Sequence, residues 1–231
     1  MAFNYKEVVP WGRNYDEYKR MFALTDSDMS LKILDCGGGP ASFNCTCNQL
    51  GGDVISVDPI YNLTKKQIEG RIEETYDTVI SQTRKNQDKF IWNTIGSVEE
   101  LGKIRMDAMR LFLNSYEENP HTYVPGELPA LPFEDNSFDI ALCSHFLFLY
   151  TDNLSYQFHR DAIAEMLRIA PEVRIFPILD VNAEISSYLG EILKEFSYKK
   201  IEIKKVDYEF QVGGNQLLII KTNAHGVGKS S

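Results

Sequence analysis

The sequence predicts an α/β protein built on a mostly parallel sheet that ends in an antiparallel pair of strands. Three observations support this prediction: short apolar runs recur along the chain, helical patterns separate them, and a glycine-rich turn joins the last two runs. Such runs are typical of parallel strands covered by helices on both faces, and such a turn is typical of a hairpin. With 231 residues, of which 43% are hydrophobic, the chain is expected to form a single domain, 1–231.

Apolar runs bounded by turn residues predict the strands. The parallel strands are expected at Leu31–Cys36, Asp53–Asp58, Phe138–Ser144 and Val173–Leu179. Near the end of the chain, apolar and polar residues alternate over 200–211, and a second run covers Leu217–Lys221. The turn Gly213-Gly214-Asn215 lies between them, so we expect an antiparallel hairpin over 200–221.

Helical spacing of apolar residues and capping residues predict the helices. The helices are expected over Tyr15–Leu24, after the capping boxes Thr64/Gln67 and Ser97/Glu100, and over His159–Ala170. We expect residues 1–30 to form an N-terminal helical cap. Residues 61–120 are too many for a simple connection between neighbouring strands, so we expect a helical insertion over the carboxyl edge of the sheet that serves as a substrate lid.

Composition and charge limit the possible partners and locations. The chain has 24 basic and 33 acidic residues, a formal net charge of −9, which disfavours binding to nucleic acid. The N-terminal residues lack the apolar stretch of a secretion signal, and no run is long enough to span a membrane. Four cysteines without disulfide-scaffold spacing fit a reducing compartment, so we expect a cytoplasmic protein. Cys45 and Cys47 alone cannot complete a zinc site, and we expect no metal.

A glycine turn follows the first predicted strand. Gly37, Gly38 and Gly39 allow a tight turn that a ligand can approach without meeting a Cβ atom. About 20 residues later, Asp58 ends the next strand. A carboxylate there can accept hydrogen bonds from the two hydroxyls of a ribose. A glycine turn needed only for packing is the simpler interpretation, and the placement of Asp58 argues against it.

Two nucleotide cofactors suit this arrangement, a nicotinamide dinucleotide and S-adenosylmethionine. The pattern Gly37-x-Gly39-x-x-Ser42 narrowly misses the dinucleotide fingerprint. Asp35, just before the glycines, would repel a pyrophosphate but suits the cationic methionine end of S-adenosylmethionine. Glu127 and the backbone N–H of Leu128 are placed to read the amino edge of an adenine. Together with the antiparallel terminal hairpin, these features favour S-adenosylmethionine.

These motifs resemble those of class I S-adenosylmethionine-dependent methyltransferases, in the group that acts mainly on small molecules. The segment 35–41 resembles the family's acid-x-Gly-x-Gly-x-Gly motif, with Ala41 in place of the last glycine, and Val57-Asp58 resembles its ribose-binding strand end. The segment 126–133 resembles the family's G-D-A-x-x-L-P-F stretch, with Glu127 for Asp and Leu128 for Ala. The resemblance implies a Rossmann-like, doubly wound, seven-stranded sheet whose last strand is antiparallel.

The resemblance and the motifs together give the candidate site. The residues expected to contact the cofactor are Tyr15, Asp35, Gly37, Gly38, Gly39, Asp58, Pro59, Glu127, Leu128 and Ser144. His145, at the end of the fourth strand, is the candidate base because a histidine titrates in the useful range; the alternative is that it only lines the pocket. Trp92 and Phe112 either line an apolar substrate pocket or pack the core of the insertion, and His121 is expected at the surface.

The predicted function is transfer of a methyl group to an O, N or C atom of a small organic molecule by in-line displacement. Three alternatives stay open on the sequence. The first is a catalytically inactive module that keeps the fold, and the second is a methyltransferase acting on protein or tRNA, although the net charge disfavours tRNA. The third is a nicotinamide dehydrogenase.

Overall fold

Seven strands form one sheet in the computed structural model, which describes residues 9–223. The strands are β1 Lys32–Cys36, β2 Asp53–Val57, β3 Tyr123–Val124, β4 Ile140–Ser144, β5 Glu172–Phe176, β6 Lys200–Lys205 and β7 Gln216–Lys221. The α-helices are α1 Tyr15–Met21, α2 Phe43–Gln49, α3 Lys65–Lys85, α4 Val98–Glu118, α5 Tyr156–Ile169 and α6 Leu189–Glu195. The first eight residues of the predicted cap lie outside the described residues.

The strand order is β3-β2-β1-β4-β5-β7-β6, and only the contacts of β7 are antiparallel. The predicted fold class is therefore confirmed. β1 lies between β2 and β4, so successive strands are added on one side of β1 first and then on the other. This change of direction in the strand order opens a crevice at the carboxyl ends of the strands. Cys36 pairs with Val57 on one side and with Cys143 on the other. The residues that follow these three positions therefore meet at one edge of the sheet.

Both faces of the sheet are buried, as expected for parallel strands covered by helices. On β4, Ile140 and Leu142 pack on one face with residues of α1 and α2, whereas Ala141 and Cys143 pack on the other with residues of α5 and α6. This alternation follows the two-residue period of a strand. All four cysteines are free and buried.

The end of the chain differs from the prediction. The strand expected over 200–211 stops at Lys205, and residues 206–215 form a long connection to β7. Two aromatic side chains explain the departure. The Tyr208 hydroxyl donates to Glu17 at 3.0 Å, and the Phe210 ring stacks on Phe90 with centroids 4.8 Å apart. These contacts hold the connection at the carboxyl edge of the sheet. The predicted turn at the glycines is present, since the Gly214 N–H donates to the Gln211 carbonyl at 2.8 Å, and it leads into β7, which pairs antiparallel with β6 as expected.

The insertion after β2 contains the two predicted helices, α3 and α4. Lys65 near the start of α3 pairs with Glu117 near the end of α4, and Arg84 near the end of α3 pairs with Glu99 near the start of α4, each at 2.7 Å. The two helices are therefore antiparallel. The predicted capping box at Thr64 is present, since its side chain accepts from the backbone N–H of Gln67 and that glutamine bonds back to Thr64.

Candidate active site

A cavity of about 700 Å³ lies at the carboxyl edge of the sheet. Its walls include the glycine turn, the N-terminal segment 9–13, the insertion, the stretch before β4, the end of β4 and the connection 206–215. The volume is within the range usual for small-molecule sites. Its position at the reversal of strand order is the one expected for ligand binding in an α/β sheet.

The glycine turn lines this cavity, and its glycines are required by backbone conformation or by lack of space. Gly37 and Gly39 have φ angles of +67° and +51°, which residues with a Cβ rarely adopt. Gly38 has no room for a side chain, because a Cβ there would overlap the Asp35 carboxylate. A Cβ on Gly39 would meet nothing nearer than Asp58 Oδ2 at 3.9 Å. The outer side of the turn is therefore open to a ligand.

Asp58 lies at the end of β2 and lines the cavity. Its Oδ2 accepts from the backbone N–H of Gly39 at 3.0 Å, and its Oδ1 accepts from that of Ile60 at 2.8 Å. Burial raises the pKa of Asp58 to about 6, although both backbone hydrogen bonds lower it. A carboxylate offers about four acceptor positions, so two remain for a ligand.

The structure puts Asp35 beneath the glycine turn and not among the residues that line the cavity. Its Oδ1 accepts from the Tyr18 hydroxyl at 3.1 Å and its Oδ2 from the Ser56 hydroxyl at 3.0 Å. Burial raises the pKa of Asp35 to about 7, against the lowering effect of these two hydrogen bonds. The sequence suggested a direct contact with a cationic ligand, but the side chain instead supports the turn from below.

The stretch before β4 forms another part of the wall. Glu127 is exposed and Leu128 is buried, and both line the cavity. The backbone N–H of Ala130 donates to the Glu127 carbonyl at 3.1 Å. A Cβ on Gly126 would lie 2.9 Å from Val57 Cγ2. This close approach holds the stretch against the end of β2, beside Asp58.

Ser144 and His145 lie at the end of β4 and line the cavity. The Ser144 Oγ is 3.0 Å from the His145 Nδ1. The backbone N–H of His145 donates to the Phe176 carbonyl at 2.6 Å. Burial, together with the positive charges of Arg13 and Arg105, holds the pKa of His145 well below its usual range. The ring is therefore neutral at neutral pH, and the titration near pH 7 that made it a candidate base is not supported.

The N-terminal segment contributes to the cavity, but through residues other than the one predicted. Tyr15 does not line the cavity and stacks instead on Phe43, with ring centroids 6.2 Å apart. Tyr18, one helical turn later, lines the cavity and bonds to Asp35. A Cβ on Gly12 would overlap the Pro40 carbonyl, so the segment crosses directly over the residue that follows the glycine turn.

The sequence did not reveal a buried charged cluster at the wall of the cavity. Arg105 of α4 is 1% exposed, and its Nη1 and Nη2 donate to the two carboxylate oxygens of Glu17 at 2.5 and 2.7 Å. Tyr208 donates to the same carboxylate. Against the effect of burial, Arg105 first and then the charge of Arg13 lower the pKa of Glu17 to about 2. One signal was available, because Arg105 interrupts the apolar stripe of a helix at a core-facing position.

The other candidate side chains have structural roles. Trp92 donates from Nε1 to the Gln87 carbonyl at 3.0 Å and packs against Phe210. Phe112 is fully buried in the core of the insertion, and neither ring lines the cavity. His121 is exposed, as predicted. Within residues 9–223, no group of three or more His, Cys, Asp or Glu side chains is arranged to hold a metal ion.

Comparison with known proteins gives one family match and one relative that spans nearly the whole chain. A family model described as a methyltransferase domain matches residues 104–172, from within α4 to the start of β5. This match and the seven-stranded sheet agree with the predicted class, that of S-adenosylmethionine-dependent methyltransferases with a class I fold. The chain is 42% identical over 219 residues to the uncharacterized protein MJ0045 of Methanocaldococcus jannaschii, covering 94% of this chain and 98% of that protein. It belongs to the same family as MJ0045.

Solved structures with a similar chain course are more distant. A methyltransferase of Methanococcus maripaludis, described as putative and dependent on S-adenosyl-L-methionine, is 14% identical with a TM-score of 0.45, covering 92% of this chain and 85% of that one. Magnesium protoporphyrin IX methyltransferase from Synechocystis PCC 6803 is 11% identical with a TM-score of 0.46, covering 86% of this chain and 73% of that one.

Among the helices of residues 9–223, none has the length and apolar character needed to cross a membrane.

Proposed function

We propose that the protein binds S-adenosylmethionine at the carboxyl edge of the sheet and transfers its methyl group to a small organic molecule in the same cavity. One observation carries the proposal. Asp58 keeps two unused acceptor positions, and it lies beside a glycine turn whose outer side is open. A ribose offers two neighbouring hydroxyls to such a carboxylate, and an open backbone turn lets the rest of the ligand approach closely.

The remaining contacts of the cofactor follow from this placement. Gly37–Gly39 accommodate the methionine end, and Pro59 and Ser144 form the sides of the pocket. Glu127 and the backbone N–H of Leu128 read the adenine edge from the stretch beside β2. Asp35 acts as a positioning residue, because it fills the space under Gly38 and so fixes the shape of the turn.

Methyl transfer requires mainly that the acceptor atom, the methyl group and the sulfur be aligned. The bound cofactor supplies a methyl group on a sulfonium, which is activated because the sulfur leaves as a neutral thioether. The residues of this chain align the acceptor atom with that methyl and exclude water. His145 is neutral, so we assign it to accepting a hydrogen bond from the acceptor's hydroxyl or amine, which orients the nucleophile. The proton that the acceptor loses on methylation is released from the product to solvent.

The walls of the cavity favour a small acceptor molecule, and the four free, buried cysteines favour a cytoplasmic setting. Leu63, Val79 and Leu101 of the insertion line the cavity together with the connection 206–215. The backbone N–H of Ile91 donates to the Phe210 carbonyl at 2.7 Å, so the insertion and this connection meet across the cavity. We propose that they form a lid over the substrate.

Calorimetric titration with S-adenosylhomocysteine tests the cofactor site. The wild-type protein is expected to bind in the micromolar range. Hydrogen bonds to a charged group contribute about 1.5–3 kcal/mol each, so loss of two in Asp58→Ala is expected to weaken binding by about 100-fold or more. Asp58→Asn, which removes the charge but keeps an acceptor, is expected to be intermediate.

Asp53→Ala is the matched control, because Asp53 is an exposed aspartate at the opposite end of the same strand. It is expected to leave the affinity unchanged. Binding that is insensitive to Asp58→Ala would overturn the site assignment.

Methyl transfer from labelled cofactor to a panel of small metabolites tests the reaction itself. If His145 orients the nucleophile, His145→Ala is expected to lower turnover by about 10-fold to 100-fold while leaving the affinity for S-adenosylhomocysteine intact. Turnover that survives the substitution unchanged would remove His145 from the mechanism. Transfer to tRNA or protein, with none to any metabolite, would overturn the assignment of a small-molecule acceptor.

A further inference from the structure

Two arginines on the cavity wall have hydrogen-bond donors that none of the described residues uses. We call Arg13 and Arg105 the arginine pair. Both line the cavity, and the Nε atom of each is buried with no partner among the described residues. The Arg105 Nη atoms bind Glu17, whereas Arg13 contributes only its Nη1, to the Trp11 carbonyl at 3.2 Å. A buried donor without an acceptor costs free energy, so these positions favour a ligand that accepts hydrogen bonds.

The charge around the arginine pair also favours an anion. Glu17 pairs with Arg105 alone, and within residues 9–223 Arg13 forms no ion pair. One carboxylate against two guanidinium groups leaves a positive charge at this part of the wall. Arg71, exposed on α3, lines the cavity as well and forms no ion pair in the described part of the chain. The guanidinium group matches a carboxylate better than any other side chain does.

Apolar side chains surround the rest of this region. Val79 and Leu101 of the insertion line the same cavity, as do the stacked rings of Phe90 and Phe210. Both Tyr208, which bonds to Glu17, and Phe210 come from the connection 206–215. A ligand that reaches the arginine pair therefore also meets an apolar surface.

We propose that the methyl acceptor is an organic carboxylate, with its carboxylate bound by Arg13 and Arg105 and its apolar body against Val79, Leu101, Phe90 and Phe210. This inference rests on the proposed function, since it names the class of molecule that the cavity methylates. The arginine pair lies within electrostatic reach of His145, at the end of β4. A carboxylate held there leaves the other end of the acceptor free to extend to His145 and the methyl group.

The cofactor offers the same chemistry, because its methionine end also carries a carboxylate. The experiment therefore needs separate arms for cofactor and acceptor. The probe is 3-phenylpropionate, and its neutral counterpart is 3-phenylpropanamide. Both are titrated calorimetrically into the wild-type protein, with and without saturating S-adenosylhomocysteine.

The acid is expected to bind about tenfold or more tightly than the amide, which corresponds to one charge-assisted hydrogen bond. Arg13→Gln is expected to weaken binding of the acid by about tenfold and to leave the affinity for S-adenosylhomocysteine unchanged. Arg110→Gln is the matched control on the solvent-facing side of α4, where the side chain is 67% exposed, and it is expected to change neither affinity.

Arg105 is tested with the double substitution Glu17→Gln/Arg105→Gln, because Arg105→Gln alone leaves a buried carboxylate unpaired. The double variant, shown to be folded by circular dichroism, is expected to lose acid binding and to keep cofactor binding. The proposal is overturned if the acid fails to bind, if the amide binds equally well, or if Arg13→Gln weakens S-adenosylhomocysteine and not the acid. If the wild-type protein binds no S-adenosylhomocysteine, the proposed function fails, and the titrations without it still decide the anion site.

Discussion

Removing Arg105 while leaving Glu17 in place is expected to destabilise the protein severely. The carboxylate of Glu17 is buried and accepts from Arg105, from Tyr208 at 3.0 Å and from the backbone N–H of Asn14 at 3.0 Å. Arg105→Met preserves much of the apolar volume but leaves the carboxylate without its counter-charge. Breaking a buried ion pair from one side typically costs about 3–5 kcal/mol.

The pKa of Glu17 reflects the same interaction. It is lowered from 4.5 to about 2, by Arg105 first and against the effect of burial, and a shift of this size corresponds to about 3 kcal/mol. Because the folded-state pKa lies below the unfolded one, this stabilisation is fully present above pH 4.5 and is lost as the pH falls toward 2. The pH dependence of stability in this window should be smaller in Glu17→Gln.

Urea unfolding at neutral pH measures the effect. The free energy of unfolding of Arg105→Met is expected to fall by about 3–5 kcal/mol, and Glu17→Gln/Arg105→Met is expected to recover most of this loss, because the neutral amide still accepts from Tyr208. Arg84→Met breaks the exposed pair with Glu99 and should cost less than about 1 kcal/mol. The reasoning is refuted if Arg105→Met costs no more than this control, or if the double variant is no more stable than the single one.

Three further predictions concern the cavity and the glycine turn. Arg13→Gln should raise the pKa of His145 toward its usual value, because a positive charge that lowers it is removed; an NMR titration of the imidazole measures this, and an unchanged pKa would contradict it. Asp35→Asn should gain stability relative to the wild type as the pH rises. The reason is that the pKa of Asp35 is raised from 3.8 to about 7 on folding, so the wild type loses stability between these pH values. A difference in urea unfolding free energy between the two proteins that is the same at all pH values would argue against it. Gly38→Ala should weaken S-adenosylhomocysteine binding by about tenfold or more, since its Cβ overlaps the Asp35 carboxylate and displaces the turn, whereas unchanged calorimetric affinity would mean that the turn adapts.

The parts of the fold that depend on local sequence patterns could be predicted. Buried parallel strands are continuous apolar runs, so β1, β2, β4 and β5 were recognised to within a few residues. Capping boxes depend on side chains three residues apart, so the start of α3 at Thr64 was also recognised. That Gly37, Asp58 and Ser144 meet at one sheet edge follows directly from a parallel sheet, because each lies at or just after the carboxyl end of its strand.

Features that depend on contacts between distant residues could not be predicted. Residues 206–211 alternate like a strand, but Tyr208 bonds to Glu17, 191 positions away, and the segment leaves the sheet. Asp35 precedes a cavity-lining turn, yet its direction is set by Tyr18 and Ser56, which bond to it from other elements. Tyr15 and Tyr18 are equally plausible on a helix until the packing of α1 against the sheet is known.

A crystal structure of the complex with S-adenosylhomocysteine tests the central claim most directly. We expect the ribose hydroxyls to donate to Asp58 and the amino-acid end to lie along Gly37–Gly39, with the sulfur directed to the space before His145. An empty cavity, or a ligand whose ribose makes no contact with the Asp58 carboxylate, would contradict it.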